Sequence, residues 1–244
     1  IFKAALKALR PDIQVVAELF PKMGSPNYQT EISRLTTARP DVVFSNLWGA
    51  DLENFVRQAQ PRGLFSSSQV VLALGETVLQ RVPLPEGVIV GVLGDGWWMS
   101  PDAAANAQTK KFVDAYKAKY GEYPVFPSIK MANTLLYVKA AYEAAMKKNG
   151  GKWPSRAELV DAMRGSKVPT LTGTTVTRAD NDGMVDQIVG VTVKSPNQSF
   201  PVIGEMVRYK GDALMPKEGQ DPIGWISTLT PAFAASLPKP GSYK

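Results

Sequence analysis

The 244-residue sequence contains no cysteine and no histidine. That excludes thiol nucleophiles, Cys/His zinc sites and every imidazole-based triad. An enzyme built on this chain would have to use carboxylates, Lys, Tyr or an added cofactor. The absence of cysteine suits an oxidising compartment but does not require one. No run of about 18 apolar residues occurs, so no segment reads as a membrane-spanning helix. No block of like charge occurs either. Lys+Arg 28 against Asp+Glu 22 gives a net +6, but Lys7, Arg10, Lys22, Arg34 and Lys139 are scattered. That is a solvated basic surface, not the footprint of a nucleic-acid partner. The sequence shows no internal repeat and no low-complexity linker. The first helix has no N-cap before it: Ile1, Phe2, Ala5, Leu6 and Leu9 already form a helical stripe. The expectation is a helix whose first turn is missing, in the later part of a longer chain.

A hydrophobic content of 44% is ample for a core. The stretch around which the chain is organised is residues 39–62. Val42, Val43 and Phe44 read as a buried strand, and Asn46 to Gly49 break it. Asp51 then opens a helix with Leu52, Phe55, Val56 and Ala59 on one face, which Pro61 and Gly63 end. Residues 13–20, 69–74 and 87–93 read as further strands. A helix begins near Ser25 or Asn27, and Leu79 and Val82 suggest a short one. Four alternations of strand and helix predict an α/β fold with a parallel, Rossmann-like sheet covered on both faces.

From Asp102 the helices lengthen. Phe112, Val113, Tyr116 and Tyr120 share one face, and Met131, Leu135, Val138, Tyr142 and Met146 mark a helix of about five turns. Ser155 and Glu158 have capping-box spacing before a helix over 156–164. Residues 170–178 alternate toward a turn at Asp182-Gly183. Residues 187–194 and 201–209 read as an antiparallel pair, and 211–244 as an extended tail with one short helix.

In open α/β sheets, ligands bind beyond the carboxyl ends of the strands. Three such ends carry notable turns: Asn46 to Trp48, Gly75 to Thr77, and Asp95 to Trp98. Glu76 is the one formal charge in the second turn and can neutralise a ligand ammonium. Its bland role is a carboxylate facing a helix dipole. Trp48 can wall off a ligand or pack in the core. Trp97 and Trp98 are adjacent, so one lines a cleft while the other packs. Asp95, between glycines, is a turn residue or a site residue. The glycines of 91–96 do not have GxGxxG spacing and no P-loop lysine follows, so no phosphate cradle is expected.

The stretches PDVVFSNLWGADLENFVRQAQPRGL, VVLALGETVL, LPEGVIVG and KFVDAYKAKYGEYP resemble the later portion of type I periplasmic solute-binding proteins. The branch is the branched-chain amino-acid-binding type that serves ABC importers. The resemblance runs over roughly the first 190 residues. It implies two Rossmann-like lobes that close on a solute, with the first lobe incomplete. Residues 1–100 would belong to the second lobe, 101–187 to the returning part of the first, and 188–244 would cross back. Glu76 matches the acid that receives a ligand's α-amino group, and Trp48 falls where such members place an aromatic wall. The groups that hold the ligand carboxylate in those members have no counterpart here.

The expected function is therefore solute capture for an ABC importer without chemistry of its own. The solute would be a small amino acid or a related amine or amide, with Glu76, Trp48, Asn46, Trp97 and Asp95 at the site. The alternatives are a binder of aromatic or other small carboxylates on the same fold, or a hydrolase using Glu76 and Asp95. No cofactor and no metal is expected. The partners would be the solute and the importer's membrane subunits, and the location periplasmic, or exported and membrane-tethered.

Overall fold

The structure is a computed structural model and describes residues 2–243. The elements, in chain order, are α1 (Phe2–Leu9), α2 (Gln29–Ala38), β1 (Val42–Ser45), α3 (Gly49–Ala59), α4 (Leu64–Ser67), β2 (Gln69–Leu72), β3 (Ile89–Val92), α5 (Pro101–Ala105), α6 (Ala107–Tyr120), α7 (Phe126–Lys148), α8 (Arg156–Met163), β4 (Lys167–Pro169), β5 (Thr174–Thr177), β6 (Gly183–Met184), β7 (Gln187–Val193), β8 (Val202–Tyr209), α9 (Pro222–Ser227) and α10 (Pro231–Ser236). They form two compact units. The first holds residues to Leu93, Ile188–Arg208 and residues from Ile226; the second holds Gly94–Gln187 and Tyr209–Trp225.

The first unit is built on a five-stranded sheet in the order β1-β2-β3-β7-β8. β1 runs parallel to β2, with Val43 opposite Val70 and Ser45 opposite Leu72. β2 runs parallel to β3, and β7 closes antiparallel on β3, with Val90 opposite Gly190. The strands are short and rich in Val and Ile, as expected for a sheet packed on both faces. α3 buries Leu52, Phe55, Val56 and Ala59, the face its periodicity predicts. Gly63, at φ 76°, takes the left-handed conformation just beyond it. Two glycines let backbone layers approach. A Cβ on Gly75 would sit 2.5 Å from Val90 Cγ1 and 2.9 Å from Leu72 Cβ, and one on Gly91 would strike the Ala73 carbonyl.

Three of the four predicted parallel strands form. Residues 13–20 do not: they carry no ladder, and Ile13, Val15, Val16 and Phe20 are exposed. Their apolar, β-branched content fits a pleated surface, but strand formation is a tertiary event that needs an edge to pair with. β1 remains the outer strand of the sheet. Its exposed Phe44 is met by the ring of Phe2 from α1, at 3.9 Å and 13° between planes. The stripe expected at the chain's start is present as α1, while Ile1 itself lies outside the described residues. The short helix suggested by Leu79 and Val82 is instead a 3-10 turn over Gly75–Val78.

The second unit packs α5 to α8 with a three-stranded sheet, β4-β5-β6. Asn106 separates α5 from α6. Its Oδ1 accepts from the N–H groups of Gln108 and Thr109, and its Nδ2 donates to the Leu171 carbonyl at 3.2 Å. Asn133 of α7 receives the Leu171 N–H at 3.0 Å and donates to Thr172 Oγ1 at 3.0 Å. Tyr137 Oη donates to the Met163 carbonyl at 2.8 Å and meets Ser166 Oγ at 2.8 Å. These polar anchors set which face of α7 turns inward. The buried set is Phe126, Ile129, Asn133, Tyr137, Ala141 and Ala145, not the stripe of Met131, Leu135, Val138, Tyr142 and Met146. α8 carries the full capping box of Ser155 and Glu158. The region 211–244 contains two short helices, not one.

The close approach at Gly75 generates a stability prediction. Gly75→Ala should cost about 1–3 kcal/mol, because backbone and core must shift to admit one methyl. Gly183→Ala, with nothing within 4 Å of its Cβ, should change stability far less. Urea unfolding of both variants checks this.

Candidate functional site

The parallel register of β1 and β2 places Asn46 and Trp48 on the same sheet edge as Glu76. Asn46 is exposed. Trp48, the residue before α3, has extended backbone at φ −149° and ψ 163° and is 56% exposed. It does not belong to the core. Glu76 is the opposite case: it sits in the 3-10 turn Gly75–Val78, is 1% exposed, and is already engaged within the protein. Burying a carboxylate is costly unless it is paired, so its place in this turn is specified rather than incidental. A solute can reach it only if the turn rearranges locally.

Asp51 in the first turn of α3 fixes the neighbouring loop. Its two carboxylate oxygens accept the Gly24 N–H at 3.1 and 3.0 Å. Tyr28 is buried beside it, its ring edge-on to Phe55 at 5.9 Å. Burial, and then the Asp51 charge, push the Tyr28 phenol up to about 12.

Asp95 and Trp97 fall in the second unit. Both are buried, at 3% and 2% exposure, and Asp95 is engaged within the protein. Trp98, half-buried, stacks on Tyr123 at 4.5 Å and 12°. The structure thus brings Asn46, Trp48 and Glu76 onto one edge of the first unit and sets Asp95 and Trp97 in the other.

At the amino ends of the strands an open groove of about 430 Å³ is lined by Asp41, Ser66, Gln69, Glu86 and Val88. No local motif signals it, because it forms from segments far apart in sequence. Among the described residues, no group of His, Cys, Asp or Glu could hold a metal ion, and no helix is long and apolar enough to cross a membrane.

Two expectations follow. Trp48→Ala should shift unfolding stability by no more than about 0.5 kcal/mol, as for an exposed residue, whereas Trp97→Ala should cost about 3–5 kcal/mol; chemical denaturation separates them. The phenol of Tyr28 is raised above its ordinary value near 10, so its contribution is complete below about pH 10 and is lost as pH rises through about 12. Between those values, wild type should lose stability more steeply than Tyr28→Phe, read from denaturation midpoints.

Comparison with known proteins bears on the fold. Among solved structures, the chain is similar to an amino acid ABC transporter substrate-binding protein from Pseudomonas fluorescens Pf-5, at 20% identity and a TM-score of 0.58, covering 89% of this chain and 54% of that one. It is similar to a leucine-, isoleucine-, valine-, threonine- and alanine-binding protein from Brucella ovis, at 20% identity and a TM-score of 0.60, covering 86% and 52%. It is also similar to a solute-binding protein of an ABC transporter from Rhodopseudomonas palustris HaA2, in complex with p-hydroxybenzoic acid, at 16% identity and a TM-score of 0.64, covering 84% and 55%. The chain spans about half the length of these structures. No curated protein matches it. The family described as "Periplasmic binding protein" matches residues 1–198. With that match over most of its length, the chain belongs to the periplasmic binding proteins, the family its sequence resembles.

Proposed function

We propose that this chain is the solute-binding subunit of an ABC importer and that its solute is a small amino acid or a related amine- or amide-bearing compound. One observation carries the reading: a single acid, Glu76, is set into the carboxyl edge of a parallel sheet, the edge that also carries an exposed tryptophan, Trp48. A carboxylate has two oxygens and about four acceptor positions, so an internal partner and a ligand ammonium can share it. Trp48 supplies a flat apolar surface and Asn46 a polar one, the mixture that small-molecule sites use. The Brucella ovis neighbour, a leucine-, isoleucine-, valine-, threonine- and alanine-binding protein, supports the reading. The first unit is read as part of the second lobe and the second unit as the returning part of the first. The partners are the importer's membrane subunits, and the location is periplasmic, or exported and membrane-tethered. No reaction of its own is proposed for the chain.

A second reading is favoured by Trp48 itself. An exposed indole at a sheet edge also suits a planar aromatic acid, the kind of ligand that the Rhodopseudomonas palustris neighbour holds.

The two readings separate on Glu76→Gln. The variant keeps the shape of the side chain and removes its charge. A charge-assisted hydrogen bond contributes roughly 1.5–3 kcal/mol. Calorimetry with the amino acid that a thermal-shift screen ranks first should therefore show at least about tenfold weaker binding in Glu76→Gln. Unchanged affinity would remove the ammonium role and leave the aromatic-acid reading.

A further inference from the structure

We propose that the second unit carries a carboxylate-binding site of its own, formed by the turn Gly94–Trp98 and the first two turns of α7, with Lys130 and the indole N–H groups of Trp97 and Trp98 as donors. The proposal rests on the solute-binding reading and adds to it the group of the solute that is recognised.

The two indoles supply the first observation. Trp97 Nε1 and Trp98 Nε1 are both buried and neither has a hydrogen-bond partner. A buried donor left unsatisfied costs more than an ordinary hydrogen bond gains, and such groups in folded proteins call for an explanation. Here two occur in succession and both are held in place. The rings of Trp97 and Trp98 lie 5.8 Å apart. Trp98 stacks on Tyr123, and Lys117 sits over the Tyr123 ring at 4.6 Å. Trp97 is 2% exposed, so an acceptor reaches its N–H only when the turn opens locally.

The second observation is the approach of α7. A Cβ on Gly96 would lie 3.2 Å from Phe126 Cβ, in the first turn of the helix. One turn later, Lys130 Nζ lies 3.3 Å from where a Gly94 Cβ would be. Gly94, at φ 84°, both adopts the left-handed conformation and leaves the space that the lysine fills. Lys130 is half-buried, and among the described residues no carboxylate is paired with it.

Indole N–H and ammonium groups donate and do not accept. The occupant they suit is therefore anionic and rich in acceptors. An amino acid or an aromatic acid, the two kinds of solute considered above, brings such a group as its carboxylate. Asp95 shares the turn, and although it is buried and engaged within the protein, its charge opposes an incoming anion. That opposition makes Lys130 the member the site can least lose.

The test compares acids with their neutral amides by calorimetry: benzoate against benzamide, and leucine against leucinamide. Wild type should bind the acid of at least one pair about tenfold more tightly than its amide. Lys130→Met, a change at a half-buried position, should erase most of that preference with an unaltered circular dichroism spectrum. Trp97→Phe and Trp98→Phe keep the ring and delete the N–H, and each should weaken the acid by about tenfold and the amide by less. Competition by sulfate as effective as that by the free acid would overturn the assignment to a carboxylate. An intact acid preference in Lys130→Met, with the solute still bound, would overturn this inference alone. If wild type binds neither member of either pair, the solute reading fails and this inference fails with it.

Discussion

The parallel pairing of β1, β2 and β3 is the constraint on which the first unit depends. A parallel ladder brings the carboxyl ends of its strands to one edge, so residues thirty positions apart in sequence become neighbours there. Asn46, Trp48 and Glu76 come to this one edge through the register that sets Ser45 opposite Leu72. The pairing in turn depends on small residues. Gly75 and Gly91 stand where a Cβ would enter Val90 or the Ala73 carbonyl. The turn that carries Glu76 is therefore built tightly against β2 and β3, and it leaves the acid 1% exposed.

Much of this unit could be read in the residues. The helix α3 announces itself through Leu52, Phe55, Val56 and Ala59, and the structure buries those four. The strands β1 to β3 are short runs of Val and Ile with turn residues on either side, a local signal that their surroundings do not contradict. Residues 13–20 carry the same signal and fail to form a strand, because apolar alternation says that a segment can pair and not that an edge is available. The helix α7 is a subtler case. Its length and type follow from periodicity, but its inward face is chosen by Asn133 and Tyr137, whose partners Leu171, Thr172 and Met163 lie far along the chain. No local pattern contains that choice.

The candidate sites were legible to the extent that they sit at strand ends. Glu76 and Trp48 could be singled out as a lone charge and a large ring in glycine-containing turns. Their opposite exposures could not, since burial of a turn depends on what packs over it. In the second unit, Trp97 drew notice as one of an adjacent pair. The orphaned donors of both indoles and the placement of Lys130 over Gly94 appear only in three dimensions. Lys130 lies more than thirty residues from the turn it meets, on a helix whose local sequence gives no sign of that contact.

That helix also explains why the chain's apolar pattern and its packing diverge. α7 buries Phe126, Ile129, Tyr137, Ala141 and Ala145 on one side. On another it presents Met131 and Leu135, at 61% and 64% exposure, and Tyr142, whose ring meets Trp153 at 4.7 Å. A helix that is apolar on more than one side is characteristic of the interior of a larger body. A surface helix needs a single apolar stripe, and further exposed Met and Leu side chains bring no stability where they stand. The second stripe is therefore a property of the sequence that packing within this unit does not account for. The same reasoning applies to the sheet, where β1 is an edge strand and its Val42 and Phe44 side chains remain exposed. In both units the unmatched apolar surface lies on elements whose other faces are well packed, so it reflects the extent of the packing and not a failure of the local fold.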